Sequence, residues 1–106
     1  MMVEMPVALL GWKEMKRNSL RGFAKVRVGK ALILHDVTVH VANGKRWATP
    51  ASKPQIGADG VALKDDRGKI KYAPIMEWGD RETADSFSAG VIAAVEREHP
   101  GATAAD

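Results

Sequence analysis

ALILHDVTVHVANGKRWATPASK, residues 31–53, is the stretch that decides the fold of this 106-residue chain. Residues 31–42 alternate between two sets of side chains. This period of two predicts a long β-strand, because successive strand residues face opposite sides of a sheet. Asn43-Gly44 favours a type I′ turn, in which both residues have positive φ. Residues 45–49 are then predicted to return as a second strand, so the stretch forms a hairpin.

A second alternating strand, residues 21–28, precedes this hairpin. Gly29 and Lys30 fit a two-residue turn with glycine first, which joins the two strands directly. That turn sets a register in which Val28 faces Ala31. The prediction depends on the length of the turn, since a slip of one residue moves every side chain of a strand to the other face.

The registers of the two turns together predict a sheet with one apolar face and one basic face. The second turn places His40 opposite Trp47 and Val41 opposite Arg46. The predicted core face consists of Val26, Val28, Ile33, Val37, Val39, Val41 and Ala48. The predicted basic face consists of Arg21, Phe23, Lys25, Arg27, Leu32, Leu34, His40, Lys45 and Trp47.

The rest of the chain predicts smaller elements around this sheet. We expect a short strand within residues 6–12, a polar link at 13–20, a loop at 50–60 and a second, protruding hairpin that turns at 65–68. Asp80 has the properties of an N-cap for an amphipathic helix over Arg81–Glu98, which Pro100-Gly101 ends. The helix face away from its apolar stripe carries the small residues Ser86, Ala89, Gly90 and Ala93.

The expected fold is therefore α+β, a twisted antiparallel sheet of four to six strands with one C-terminal helix packed on a face. A chain of 106 residues predicts one domain, 1–106, in which 1–20 is an N-terminal extension of unassigned structure and 100–106 a flexible tail. Much of the 45% hydrophobic content is alanine, so the core is thin, and dimerisation is a common way for such a domain to bury more surface.

Composition favours a cytoplasmic protein. The chain has no cysteine, which excludes a disulfide framework and fits a reducing compartment. No apolar run approaches the roughly 20 residues that cross a bilayer, and residues 1–12 lack the basic start of a signal peptide. Residues 1–53 contain ten Lys and Arg against three Asp and Glu, a net +7, and residues 54–106 contain six against ten, a net −4. The basic half fits a polyanionic partner, or the acidic half of a second copy.

The basic face is the main functional indication in the sequence. Cations that alternate with aromatic residues suit nucleic acid, because phosphates pair with Lys and Arg while bases stack on aromatic rings. The candidate contacts are Arg21, Phe23, Lys25, Arg27, Lys45, Trp47 and Lys53. Two other interpretations stay open: a merely solvated basic strand, and a dimer or protein-binding surface formed by Leu32, Leu34 and Trp47.

Catalytic and metal sites are not predicted. Asp36 and His40 lie about 13 Å apart along a strand and His35 points the other way, whereas zinc ligands converge within about 2 Å of the metal. We expect His35 to be buried and hydrogen-bonded. No Gly-x-Ser-x-Gly elbow, calcium loop or phosphate-binding glycine motif occurs. We therefore expect a protein without enzyme activity, cofactor or small-molecule substrate.

Several residues of the chain together resemble the SpoVG family, the stage V sporulation protein G or septation regulator proteins of bacteria. The shared pattern consists of His35-Asp36-Val37-x-Val39, the turn at Asn43-Gly44, Trp47-x-x-Pro50-x-Ser52-Lys53 and Ala73-Pro74-Ile75, followed by a helix. The resemblance covers roughly residues 20–98. This chain departs from the family pattern in the inserted Ala51 and in Ala73, where the family has His. The resemblance implies a small dimeric protein that binds DNA or RNA as a regulator.

Overall fold

The structure, a computed structural model, describes residues 6–104. The first five residues of the expected extension and the last two of the expected tail lie outside this range. The expected α+β class is confirmed, with a four-stranded antiparallel sheet in the order β1-β2-β3-β4, a separate two-stranded sheet and one helix. The elements are β1 (Val7–Arg17), β2 (Leu20–Val28), β3 (Leu32–Ala42), β4 (Lys45–Thr49), β5 (Ser52–Pro54), β6 (Tyr72–Pro74) and α1 (Arg81–Glu98).

The core lies between α1 and one face of the four-stranded sheet. Its largest side chain is Phe87, which is 0% exposed and packs against the ring of Trp78 at a centroid distance of 5.1 Å. The other buried members of this cluster are small or β-branched, namely Ala24, Val26, Val37, Val39, Ala48, Val91 and Val95. A core built mainly from Val and Ala buries little area per residue, as the composition predicts.

The first strand is longer than the sequence predicted. The expected short strand at 6–12 and polar link at 13–20 are in fact one strand, Val7–Arg17, which pairs with β2 along the edge of the sheet. A polar segment can extend an edge strand because backbone hydrogen bonds hold it there, and its exposed side chains need not be apolar. Asn18, with φ 56°, begins the tight turn into β2.

The predicted register between β2 and β3 is wrong by one residue at the turn. Val28 faces Leu32 and not Ala31, because the loop contains three residues, Gly29, Lys30 and Ala31, where two were predicted. Gly29 takes a φ of 64°, which glycine adopts without steric penalty. From the turn to Leu34, each side chain of β3 therefore lies on the sheet face opposite to the predicted one.

A β-bulge in β3 restores the predicted sides further along the strand. Val26 faces Leu34 but Ala24 faces Val37, so β3 has one more residue than β2 in this interval. Asp36 has a φ of 56°, a left-handed conformation that Asp tolerates better than most residues. Beyond the bulge, Val37 and the alternate residues after it lie in the core as predicted.

Four sequence assignments between the turn and the bulge are consequently wrong. Ile33, assigned to the core, is 41% exposed on the opposite side. Leu32 and Leu34, assigned to the basic face, share the helix side with Val28, and Leu34 packs against the core. His35, expected to be buried, is exposed beside Asp36 in the bulge.

The second turn and the helix agree with the predictions. His40 faces Trp47 and Val41 faces Arg46, with positive φ at both turn residues. The helix spans Arg81–Glu98, and the Asp80 carboxylate accepts a hydrogen bond from the Thr83 N–H at 2.7 Å. Ser86 is a local exception, since it is buried rather than on an outer face.

Residues 52–75 form a separate unit beside the main sheet, which we call the arm. It contains β5 and β6, and the predicted turn at 65–68 is present, with the Asp65 carboxylate accepting bonds from the N–H groups of Arg67 and Lys69. Backbone bonds between residues 55, 63 and 71 hold its segments together. Several large apolar side chains of the arm are exposed: Ile56, Val61, Leu63, Ile70, Tyr72 and Ile75.

The chain folds back on the helix after Pro100, where we expected a flexible tail to begin. Glu96 accepts hydrogen bonds from the N–H groups of Gly101 and Thr103, each at 2.9 Å, and from the Thr103 hydroxyl. These bonds, first of all that from the Thr103 hydroxyl, lower the pKa of Glu96. Thr103 is fully buried, so residues 101–104 belong to the folded domain.

Gly22 lies where β1 leaves no room for a side chain on β2. A Cβ atom there would lie 2.6 Å from the Lys13 carbonyl oxygen and 2.6 Å from the ring of Trp12. We expect Gly22→Ala to lower the free energy of unfolding by about 1–3 kcal/mol, because the backbone of β1 must move. Urea denaturation followed by circular dichroism measures this change.

Gly11→Ala is the matched control for this prediction. Gly11 lies in the neighbouring strand, and its added Cβ would meet only the Lys25 Cβ, at an ordinary 3.7 Å. We expect this variant to change stability by no more than about 0.5 kcal/mol. Equal destabilisation by the two substitutions would contradict the close approach at Gly22.

Candidate nucleic-acid interface

The sheet face opposite α1, which we call the open face, receives alternate side chains of β2. Ala24 and Val26 are buried toward the helix, so Phe23, Lys25 and Arg27 lie on the open face. Lys25 and Arg27 are exposed, and Phe23 is half-buried. β2 thus presents two cations and one aromatic ring on one side, as its alternation predicts.

The β3–β4 hairpin adds its own residues to the open face. Thr38 faces Phe23 across β2 and β3, and two positions further along β3 His40 faces Trp47. Lys45 is exposed and shares a side of β4 with Trp47. The structure therefore places five of the seven candidate residues on one face: Phe23, Lys25, Arg27, Lys45 and Trp47. Arg27 and Trp47 lie toward opposite ends of this face, because they pair with Ile33 and His40, about 20 Å apart along β3.

Arg21 differs from its predicted position on the basic face. It lies at a bulge, since Leu20 faces His40 while Gly22 faces Val39, and it is only 7% exposed. Its guanidinium donates hydrogen bonds to the carbonyl oxygens of Asn18, at 2.9 Å, and Leu20, at 3.2 Å. In this position Arg21 stabilises the β1–β2 turn rather than presenting its charge at the surface.

Lys53 lies outside the main sheet. It belongs to β5 in the arm, where it faces Ala73 and is exposed. The sequence predicted Lys53 as a phosphate contact, but strand pairing in the arm, and not the open face, positions it.

Trp47 is already stacked on a neighbouring ring. The centroids of His40 and Trp47 lie 5.2 Å apart, with an angle of 8° between their planes, and Nδ1 of His40 lies 2.9 Å from the Ser19 hydroxyl. Burial lowers the pKa of His40, which favours the neutral ring at pH 7. The stack fixes the orientation of the indole of Trp47, which is half-buried.

A groove of about 980 Å³ runs between the open face and the arm. Its sheet side includes Lys13, Leu20, Phe23, Lys25, Thr38, His40 and Thr49. Its arm side includes Ser52, Tyr72 and Ile75, and the bulge residues His35 and Asp36 also line it. Among the residues that line this groove, Asp36 has the only carboxylate, whereas Lys13 and Lys25 are cations. Cations therefore outnumber anions in the groove.

Sequence reasoning missed two groups of this groove. Tyr72 was not among the candidate residues, yet it lines the groove from the arm. The hydroxyl groups of Thr38 and Thr49 meet at 2.8 Å and were not considered. The direct pairing of Thr38 with Thr49 follows from the predicted β3–β4 register, whereas no sequence pattern places Tyr72 beside the sheet.

The fold and this surface define an α+β protein with an open, basic and aromatic sheet face beside an arm that exposes both apolar and charged side chains. Comparison with known proteins finds no matching family model, no matching curated protein and no matching solved structure. Among residues 6–104, no group of three or more His, Asp or Glu side chains is placed to hold a metal ion. The helix of this part of the chain is also not long and apolar enough to cross a membrane.

Proposed function

We propose that this protein is a non-catalytic DNA- or RNA-binding regulator that holds its ligand on the open face. The observation that supports this most strongly is the common face of Lys25, Arg27 and Lys45 with the rings of Phe23 and Trp47. Cations that neutralise phosphates and rings that stack bases are the two requirements of sequence-tolerant nucleic-acid binding.

The resemblance to the SpoVG family supports the same proposal and implies a bacterial, cytoplasmic regulator. In this chain the His35-Asp36 part of the family pattern falls on the β-bulge, and Val37 and Val39 fall in the core. The pattern thus describes residues that shape the sheet. The proposed contacts lie next to it, on the opposite face of β2 and β4.

A filter-binding titration with short labelled oligonucleotides, single- and double-stranded, tests this function. We expect binding at low salt whose logarithmic affinity falls linearly with the logarithm of salt concentration, because each phosphate contact releases counterions. No binding at low salt, or an affinity that does not change with salt, would contradict the proposal.

A homodimer is the second proposal, and it is also the alternative function if no nucleic acid binds. The surface first considered for it does not exist, because Leu32 and Leu34 lie on the helix side and Trp47 lies on the open face. The exposed apolar side chains of the arm, such as Ile70 and Val61, now favour self-association. Burying them against a second copy would enlarge a thin core.

Light scattering measures the proposed dimer directly. The chain has a mass of 11.5 kDa, and we expect the unaltered protein at micromolar concentration to have twice that mass. Val61→Asp combined with Ile70→Asp should return it to the monomer, because two buried carboxylates oppose association. Trp47→Ala is the matched comparison and should leave the dimer intact. A monomeric mass for the unaltered protein would refute this proposal.

A further inference from the structure

We propose that the groove between the open face and the arm takes a single-stranded stretch of nucleic acid in preference to a duplex. This inference rests on the proposed function and specifies the form of the ligand. It follows from the aromatic residues on both sides of the groove, from the size of the groove and from the position of its charges.

Aromatic rings line the groove from two different parts of the fold. Phe23 comes from the centre of the sheet, and Tyr72 comes from β6 in the arm. Tyr72 is 58% exposed, which leaves its ring available as a stacking platform. Stacking on such rings requires bases that are free of their neighbours, and only an unpaired strand offers them without first breaking base pairs.

The size of the groove also favours a single strand. Its volume of about 980 Å³ equals that of a cube about 10 Å on each side. The two grooves of B-DNA are about 8.5 and 7.5 Å deep, so the cross-section of a duplex exceeds this length. The same volume lies at the upper end of the range for ligand pockets, about 300–1,000 Å³. A few unpaired nucleotides therefore fit where a duplex does not.

The charges and hydroxyl groups of the groove suit the two parts of a nucleotide. Lys13 and Lys25 lie on β1 and β2 and provide cations for the phosphates. Asp36 lines the groove from the bulge, which lies opposite Lys25, so we expect the phosphates toward Lys13 on β1 and away from this carboxylate. The paired hydroxyl groups of Thr38 and Thr49 offer hydrogen bonds to base edges.

Fluorescence anisotropy with one oligonucleotide as a single strand and as a duplex with its complement tests the inference. We expect the full-length protein to bind the single strand on the order of tenfold more tightly than the duplex at equal salt. Duplex binding that equals or exceeds single-strand binding would overturn this inference and leave the proposed function intact. Absence of binding to either form would overturn both.

The variant Tyr72→Ala tests whether the single strand binds in the groove. We expect it to weaken single-strand binding on the order of tenfold, while Tyr72→Phe, which keeps the ring, binds as the unaltered protein does. Duplex affinity should not change with either variant. Equal single-strand affinity for Tyr72→Ala and the unaltered protein would exclude the groove as the site. Tyr72 is largely exposed, so circular dichroism should show both variants folded.

Discussion

Phe87→Ala is expected to lower the free energy of unfolding by about 3–5 kcal/mol. Phe87 is fully buried against the Val and Ala side chains of the sheet and the ring of Trp78, and its removal would leave a cavity among these groups. A domain of this size has a total stability of about 5–15 kcal/mol, so the loss removes a large share of it. Urea denaturation followed by circular dichroism measures this loss as a lower urea concentration at the midpoint of unfolding.

Tyr72→Ala provides the control, because it truncates an aromatic ring that is mostly in solvent. We expect a change within about 0.5 kcal/mol for this variant. If the two truncations destabilise the protein equally, the core does not lie between Phe87 and the sheet. The same control shows whether the binding test of Tyr72 measures recognition or folding.

The double variant Lys25→Gln with Arg27→Gln should weaken oligonucleotide binding roughly 25-fold at 0.1 M salt. Each phosphate contact with a single strand changes the slope of log affinity against log salt by about 0.7. Two lost contacts therefore flatten the slope by about 1.4 and remove about 1.4 logarithmic units of affinity between 1 M and 0.1 M salt. Titrations at several salt concentrations measure both quantities.

Arg46→Gln with Arg97→Gln is the charge-matched control for this experiment. Both residues are exposed on the helix side of the sheet, since Arg46 faces the buried Val41 and Arg97 belongs to α1. The control lowers the net charge by the same amount, so a general effect of charge would weaken binding equally in the two double variants. We expect the control variant to keep the salt dependence of the unaltered protein.

The sequence predicts the fold best where local chemistry determines the backbone. Asn43-Gly44 requires positive φ at two successive residues, and the register of β3 with β4 follows from it. Asp80 and the apolar period of the helix likewise predict its first and last residues. In both places one short-range preference is enough to decide the structure.

The predictions fail where the number of residues in a loop or a bulge, rather than the side-chain pattern, determines the register. Gly29-Lys30 fits a two-residue turn as well as the observed three-residue loop, and nothing in the alternation around Asp36 indicates a bulge. The two errors shift the register by one residue each, so their effects on side-chain direction cancel beyond the bulge. Arg27 and Trp47 consequently share a face as predicted, although Ile33 and Leu34 are exchanged.

The site itself depends on contacts that are distant in sequence. Lys25, Phe23 and Trp47 could be placed on one face from alternation alone. The groove could not, because the position of Tyr72 depends on how the arm lies beside the sheet. Arg21 was misplaced for a similar reason, since a bulge and two backbone carbonyl groups determine its environment.

The bulge at Asp36 has a consequence for how this chain tolerates insertions and deletions. Loss of Asp36 would leave His35 alone opposite Lys25, with Leu34 and Val37 still directed to the core. Loss of one residue from the Gly29–Ala31 loop would likewise leave Val28 opposite Leu32. A deletion between Val37 and Val41 would instead turn valines toward water. Alignment gaps among homologous chains should therefore gather at the loop and at the bulge, and the last third of β3 should keep its length.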